Sequence, residues 1–275
     1  MSLIDAHVHV WTENITRYPR SKDYSVTDSR PLAFLPNEIL KHAKPYGITG
    51  IVLVQMSYYG YDNSYMLDVM KEHEGIFSGI AVVDSNQMRP DIAMRKLINE
   101  GVRGFRIQPS ELKTEWLKSS CYDRMFCCAA DEQVAICPLI DIENLPALKT
   151  MCRRFPDTTI VVDHLCRIGS DGTIKEEHVG KLCSLADYPN TYIKVSAFYA
   201  LGQKLSPYMD LSLLIERVYN AFGPERLMWG SDCPYQVSEG HNYGDSFALI
   251  DHHLAFLSSS DRDHILRKTA QKIFF

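Results

Sequence analysis

The first residues able to do chemistry lie almost at the start of the chain, in the run Ile4-Asp5-Ala6-His7-Val8-His9-Val10. It reads as a short strand. Side chains on a strand alternate, so His7 and His9 fall on one side, about 6–7 Å apart along it. Two imidazoles so placed can converge on one metal ion or one substrate atom. Alternation puts Ile4, Ala6, Val8 and Val10 on one face, and Asp5, His7 and His9 on the other. The competing reading is a pair of solvated histidines. The apolar flanks argue against it, because they look like a fully buried strand.

Further reactive groups recur at the ends of apolar runs. Gln55 closes Gly50–Met56, and Asp84 closes Gly79–Asp84. Arg103, Arg106 and Gln108 belong to Val102–Gln108, Asp163 and His164 to Thr159–Leu165, and Lys194 and Ser196 to Thr191–Ala197. Asp232 ends Leu227–Asp232. Burying so many ionisable groups is costly unless they pair or work. Asp232, after a tight Gly-Ser step, suits a general base or a metal ligand. Asp163 and His164 are neighbours, so alternation lets only one of them face inward, and His164 is in phase with the strand end. Arg103 and Arg106 have opposite parity, and Arg106 is expected at the mouth, with Arg103 free to be a structural pairing residue. Lys194 could instead reach solvent along its own stem. Gln55 reads as a substrate hydrogen-bonder or a satisfied polar group, and Asp84 as a turn residue before Ser85 and Asn86.

These groups need a scaffold that brings strand ends together. After an irregular, aromatic-rich stretch from Trp11 to Leu35, strands alternate with helices at Asn37–Tyr46, Asp62–His73, Asp91–Glu100, Cys121–Gln133, Leu145–Phe155, Glu176–Leu185 and Met209–Phe222. Two more helices follow the last strand, at Phe247–Leu257 and Arg262–Ile273. The eight strands are continuous apolar runs, as expected when both faces are buried. Eight βα units in 275 residues predict an α/β fold, a (β/α)8 TIM barrel, as a single domain over residues 1–275. No glycine-rich phosphate loop follows the first strand, which disfavours an open dinucleotide-binding sheet. In a barrel the active site forms at the C-terminal ends of the strands, where the polar groups cluster.

Composition sets outer limits. Hydrophobic residues make up 45%, charged residues 23%, and the net charge is −5. That balance argues against nucleic acid or a membrane surface as the main partner. No apolar run approaches the ~20 residues that span a bilayer. The eight cysteines form no C-x-x-C pair. With no secretion signal visible they read as reduced thiols in a cytoplasmic protein. Oligomeric state is not encoded in any pattern we can read.

Together these residues resemble the amidohydrolase superfamily, whose hallmark positions match His7-x-His9, His164 and Asp232. Within it the chain is similar to the amidohydrolase-related branch containing 2-pyrone-4,6-dicarboxylate lactonase and the sugar lactonases. The matching stretches are Ile4–Trp11, Val52–Gln55, Gly60–Asn63, Gly101–Arg106, Val162–His164, Lys194–Ser196 and Met228–Pro234, nearly end to end and in order. The resemblance implies a hydrolase opening a small, carboxylated lactone, with Asp232 activating water. His7, His9 and His164 would polarise or position the carbonyl. Arg106, Arg103 and Lys194 would hold a substrate carboxylate, and Gln55 and Ser196 complete the substrate-binding set. His7, His9 and Asp232 are candidate ligands for one divalent metal, Zn²⁺ before Mn²⁺. A metal-free site is an equal alternative, because strand four (Val102–Gln108) and strand five (Ala135–Asp141) end without His, Lys or Glu unless Cys137 substitutes. The rival functions are a metal-dependent decarboxylase of the same superfamily, hydrolysis of a non-lactone ester or amide, and binding without turnover.

Overall fold

The computed structural model describes residues 2–109 and 116–275. Eight parallel strands follow one another around a sheet in chain order: β1 (Leu3–Val8), β2 (Ile48–Val54), β3 (Phe77–Ala81), β4 (Val102–Ile107), β5 (Ala135–Pro138), β6 (Thr159–Val162), β7 (Thr191–Ser196) and β8 (Leu227–Gly230). The ring closes between the first and last strands. The His9 amide donates to the Cys233 carbonyl at 2.8 Å, and the Asp232 amide donates to the His7 carbonyl at 2.8 Å. The expected (β/α)8 barrel is therefore the observed fold, with no open edge left to cap.

Helices α1 (Pro36–Ala43), α2 (Ser64–Glu72), α3 (Pro90–Asn99), α4 (Ser120–Asp131), α5 (Leu145–Arg154), α6 (Glu176–Cys183) and α7 (Ser212–Phe222) fill the crossovers. Their limits follow local rules. Pro90 occupies the first turn of α3, where its missing N–H costs nothing. Ser119 caps α4 by accepting from the Cys121 amide. Past β8 the chain forms α8 (Tyr243–Ala248), α9 (Ser259–Asp263) and α10 (Thr269–Phe274), joined by wider π-type turns at Leu249–His253 and His264–Lys268. No helix among the described residues is long and apolar enough to cross a membrane.

The apolar core has two layers. Strand residues such as Leu53, Phe105, Ile136, Val195 and Trp229 pack outward against the helices. Ile4, Ala6, Val54, Ile80, Val161 and Met228 point inward and fill the lower barrel. Phe274 from α10 plugs that end, and its backbone carbonyl accepts a 2.6 Å bond from the Ser78 hydroxyl. Each such large side chain removed from water contributes ~1.5–3 kcal/mol.

The alternation expected along β1 is broken. Ile4 and Ala6 face the barrel interior, whereas Val8 faces the helices, and the register with β2 shifts between Asp5 and Val8. An extra residue at this bulge turns His7 and His9 inward while leaving Asp5 behind. Asp5 instead accepts hydrogen bonds from the Ser231 amide (2.8 Å), the His7 amide (3.2 Å) and the Tyr243 hydroxyl (2.9 Å). Burial pushes its carboxyl up to about 6 despite these donors. The bulge presses β1 onto β8. A Cβ on Gly230 would lie 2.7 Å from His7 Cβ and 2.9 Å from the His7 amide nitrogen, so only glycine fits there.

Candidate active site

At the C-terminal ends of the strands the barrel opens into a cavity of about 730 Å³. His9, Gln55, Arg106, His164, Tyr199 and Asp232 line it. Residues Ser21–Tyr24, from the long segment after β1, form part of its wall. That segment is ordered by the pairing of Trp11 with Phe34 and by a 2.9 Å bond from the Trp11 indole to the Pro31 carbonyl.

Asp232 sits at the heart of the cavity floor. It is buried, in the left-handed region at φ 65°, a conformation that costs a non-glycine residue roughly 1–3 kcal/mol and persists where surrounding structure imposes it. The Tyr199 hydroxyl donates to its Oδ2 at 2.8 Å. Oδ1 has no hydrogen-bond partner. It faces His9 Nε2 at 3.4 Å and His7 Nε2 at 3.5 Å. Burial raises the pKa of this carboxyl, but the nearby imidazoles of His164, His9 and His7 outweigh it, and the group lies well below the usual carboxylate range. That direction favours the carboxylate form of Asp232.

The three histidines are held by their far nitrogens. His9 Nδ1 donates to the Val54 carbonyl at 2.8 Å, which leaves Nε2 for the site. His164 Nδ1 bonds the Ser196 hydroxyl at 2.9 Å, and burial brings its pKa down to about 4. His7 is fully buried beneath the others. Burial and the Lys194 charge hold it well below its usual pKa, so it is neutral. Its Nδ1 lies 3.3 Å from Asp163 Oδ1 and 3.2 Å from Lys194 Nζ, and its Nε2 accepts from Arg106 Nη2 at 2.9 Å.

Sequence reasoning set Asp163 aside, and the structure brings it in. Val161 faces inward and Val162 outward, so Asp163 is the residue in phase with the barrel interior. It is fully buried, 3.1 Å from Lys194 and 3.0 Å from Arg106 Nη2. Burial alone would raise its pKa, but Lys194, Arg106 and His7 hold it well below the usual value. His164 reaches the site by another route. It begins a run of four left-handed residues, His164 to Arg167, with φ between 51° and 56°, and this turn swings its ring back over the floor. Both neighbours therefore face the centre.

The remaining expectations divide. Gln55 lines the cavity, with its amide donating to the Asp62 carbonyl at 2.6 Å. Ser196 is buried behind His164 and positions it. Lys194 does not reach the rim or solvent. It is buried inside the barrel, 5.5 Å above the Phe274 ring, and cannot touch a substrate in the cavity. Arg103 is exposed at the start of β4, away from the cavity, with one guanidinium nitrogen on the Val102 carbonyl. Asp84 caps a turn through the Asn86 amide, as expected. Tyr199 and Tyr235, both in the cavity wall, were not foreseen. They stand on irregular segments after β7 and β8, where no periodicity marks them.

A metal would fit one part of this site. The donor atoms of His7, His9 and Asp232 form a triangle with edges of 3.3, 3.4 and 3.5 Å. A tetrahedral ion with ligands at about 2.0–2.1 Å requires donors ~3.3–3.4 Å apart. Two imidazole nitrogens and an unpartnered carboxylate oxygen facing each other also leave a cluster of lone pairs with little hydrogen between them. Among the described residues this is the one grouping of such side chains able to hold an ion. Cys137 does not join it. It packs in the lower barrel, and burial pushes its thiol up to about 12.

The site is thus that of a closed (β/α)8 barrel with a His-x-His strand and a buried aspartate at its mouth. The amidohydrolase family model matches residues 4–275, so the chain belongs to that family and is a hydrolase. It is 27% identical over 256 residues to an L-fucono-1,5-lactonase from Burkholderia ambifaria, covering 90% of this chain and 85% of that one. It is 26% identical over 257 residues to a 2-pyrone-4,6-dicarboxylate hydrolase from Comamonas testosteroni, covering 90% and 81%. Its fold matches an amidohydrolase from Burkholderia multivorans, solved with bound zinc, at a TM-score of 0.81 and 19% identity over 99% of both chains.

Proposed function

We propose that this chain is a single catalytic domain that opens a small, carboxylated lactone, with Asp232 as the general base. The observation that carries the reading is the asymmetry of the Asp232 carboxylate in the cavity lining: one oxygen is held by Tyr199, and the other has no hydrogen-bond partner and faces His7 and His9. A water at Oδ1 passes its proton to Asp232 as its oxygen bonds to the lactone carbonyl carbon. When the tetrahedral adduct collapses, the ring C–O bond breaks and the departing oxygen takes that proton back, giving the hydroxy acid. His9 and His164 stand beside Asp232 to position the carbonyl. A divalent ion held by His7, His9 and Asp232 would add electrophilic polarisation of that carbonyl. Arg106, a guanidinium in the cavity wall beside His7, suits a substrate carboxylate. The names of the two relatives above, a lactonase and a pyrone-dicarboxylate hydrolase, support the choice of substrate class.

The test is a pH-indicator assay against sugar lactones and carboxylated pyrone-type lactones, run with and without chelator. Acid release by the wild type, lowered about 10²–10⁴-fold in Asp232→Asn, is the expected result. A folded wild type inert on every lactone, or an Asp232→Asn variant of equal rate, would overturn the proposal.

A further inference from the structure

His7 Nε2 has two claims on it. It is one corner of the His7–His9–Asp232 triangle, and it also accepts the 2.9 Å hydrogen bond from Arg106 Nη2. A nitrogen has one lone pair in the ring plane, so it cannot serve a guanidinium N–H and a metal at once. We propose that Arg106 guards this corner: its guanidinium competes with a divalent cation for His7, and the site takes a metal with full affinity only when Arg106 has moved away.

Three features support this. Arg106 has a second partner, the same Nη2 also donating to Asp163 Oδ2 at 3.0 Å. Its side chain is nine-tenths buried, so it is not a mobile surface group. The surrounding charge is already balanced. Arg106 and Lys194 oppose Asp163 and Asp232, and both cations stand within 3.2 Å of His7, one on each ring nitrogen. A divalent ion added there meets two positive charges at short range. The arrangement also has a functional consequence. An anionic substrate that draws Arg106 toward its own carboxylate would free the His7 corner, so anion and metal binding become linked, each favouring the other.

The experiment is isothermal titration of ZnCl₂ into the metal-stripped enzyme, without substrate. Arg106→Met should bind Zn²⁺ about 10–100-fold more tightly than the wild type, the range expected when a charge-assisted hydrogen bond no longer competes. Arg103→Met, which removes a cation remote from the cavity, should leave the affinity unchanged. His7→Asn should abolish the gain in the Arg106→Met background. Because Asp163 loses a partner, Arg106→Gln, which keeps a donor for it, serves as a second variant. Equal or weaker Zn²⁺ binding in whichever Arg106 variant melts cooperatively overturns the proposal, as does a gain that survives His7→Asn. The readout is binding rather than turnover, so a silent lactone panel would count against the proposed reaction and leave this inference standing.

Discussion

Asp163→Asn is the substitution that most directly tests how the floor of this site is built. The change keeps the side chain's size and removes one charge. Asp163 is fully buried, with Lys194 Nζ at 3.1 Å and Arg106 Nη2 at 3.0 Å. At an effective dielectric near 20 each contact is worth about 5 kcal/mol of gross attraction, most of it offset by the cost of taking three charges from water. Removing one partner leaves the others buried and uncompensated, and such changes destabilise by ~3–5 kcal/mol. For a chain of this length that is a fall in Tm of roughly 5–9 °C. Urea unfolding followed by tryptophan fluorescence is the assay, since Trp11 and Trp229 are fully buried. The double variant Asp163→Asn/Lys194→Met discards both members of the fully buried pair and should recover at least half of the loss. The pH dependence has a definite sign. Asp163 has a depressed pKa when folded, so its contribution is complete above its unfolded pKa near 3.8 and is lost as pH falls below that. The gap between wild type and variant should therefore narrow in acid. A loss under about 1 kcal/mol, or a double variant as unstable as the sum of its parts, would refute the assignment of Asp163 as the counter-ion of Lys194 and Arg106.

Two further outcomes follow from the β1 bulge. Asp5, pushed up to about 6 by burial, is favoured in its protonated form by folding. The stability this lends is present below pH 3.8 and is lost as pH rises through 6, a change of about 3 kcal/mol. Asp5→Asn should lack that step, so the difference between wild-type and variant unfolding free energies should shift in the variant's favour from pH 4 to pH 7; a constant difference would contradict the burial argument. Gly230→Ala places a methyl against His7 Cβ and backbone nitrogen, neither of which can yield like a flexible side-chain tip. We expect ~1–3 kcal/mol of destabilisation from overpacking and a larger loss of Zn²⁺ affinity or turnover than of stability, because it is His7 that must move. A variant with wild-type melting and activity would show that β1 and β8 can part without cost.

The barrel was legible because it rests on a coarse signal. Continuous apolar runs at regular spacing demand a parallel sheet covered on both faces, and neither bulges nor irregular turns disturb that count. The locations of His7, His9, His164 and Asp232 were legible for a similar reason, since each stands at the end of such a run. Strict alternation failed wherever the backbone left the ideal strand. The bulge in β1 turned His7 inward and stranded Asp5 on the outer layer, although both were placed on one face. The left-handed turn beginning at His164 let two adjacent residues converge, although alternation admitted only one.

The charges were the harder part, because a sequence shows which cations are near a site and not what already occupies them. Three were expected to receive a substrate carboxylate. Arg103 turned outward by its parity. Lys194, in phase with Ser196 on β7, lies two residues deeper than the rim and meets Asp163 before it can meet a ligand. Arg106 alone reaches the cavity, and it arrives engaged by His7 and Asp163. An arginine whose partners are one neutral imidazole and one carboxylate shared with a lysine is held less firmly than one in an exclusive ion pair. On the proposal above, the same residue stands against the histidine and turns to an anionic substrate when one binds, a competition that spacing in the sequence could not reveal.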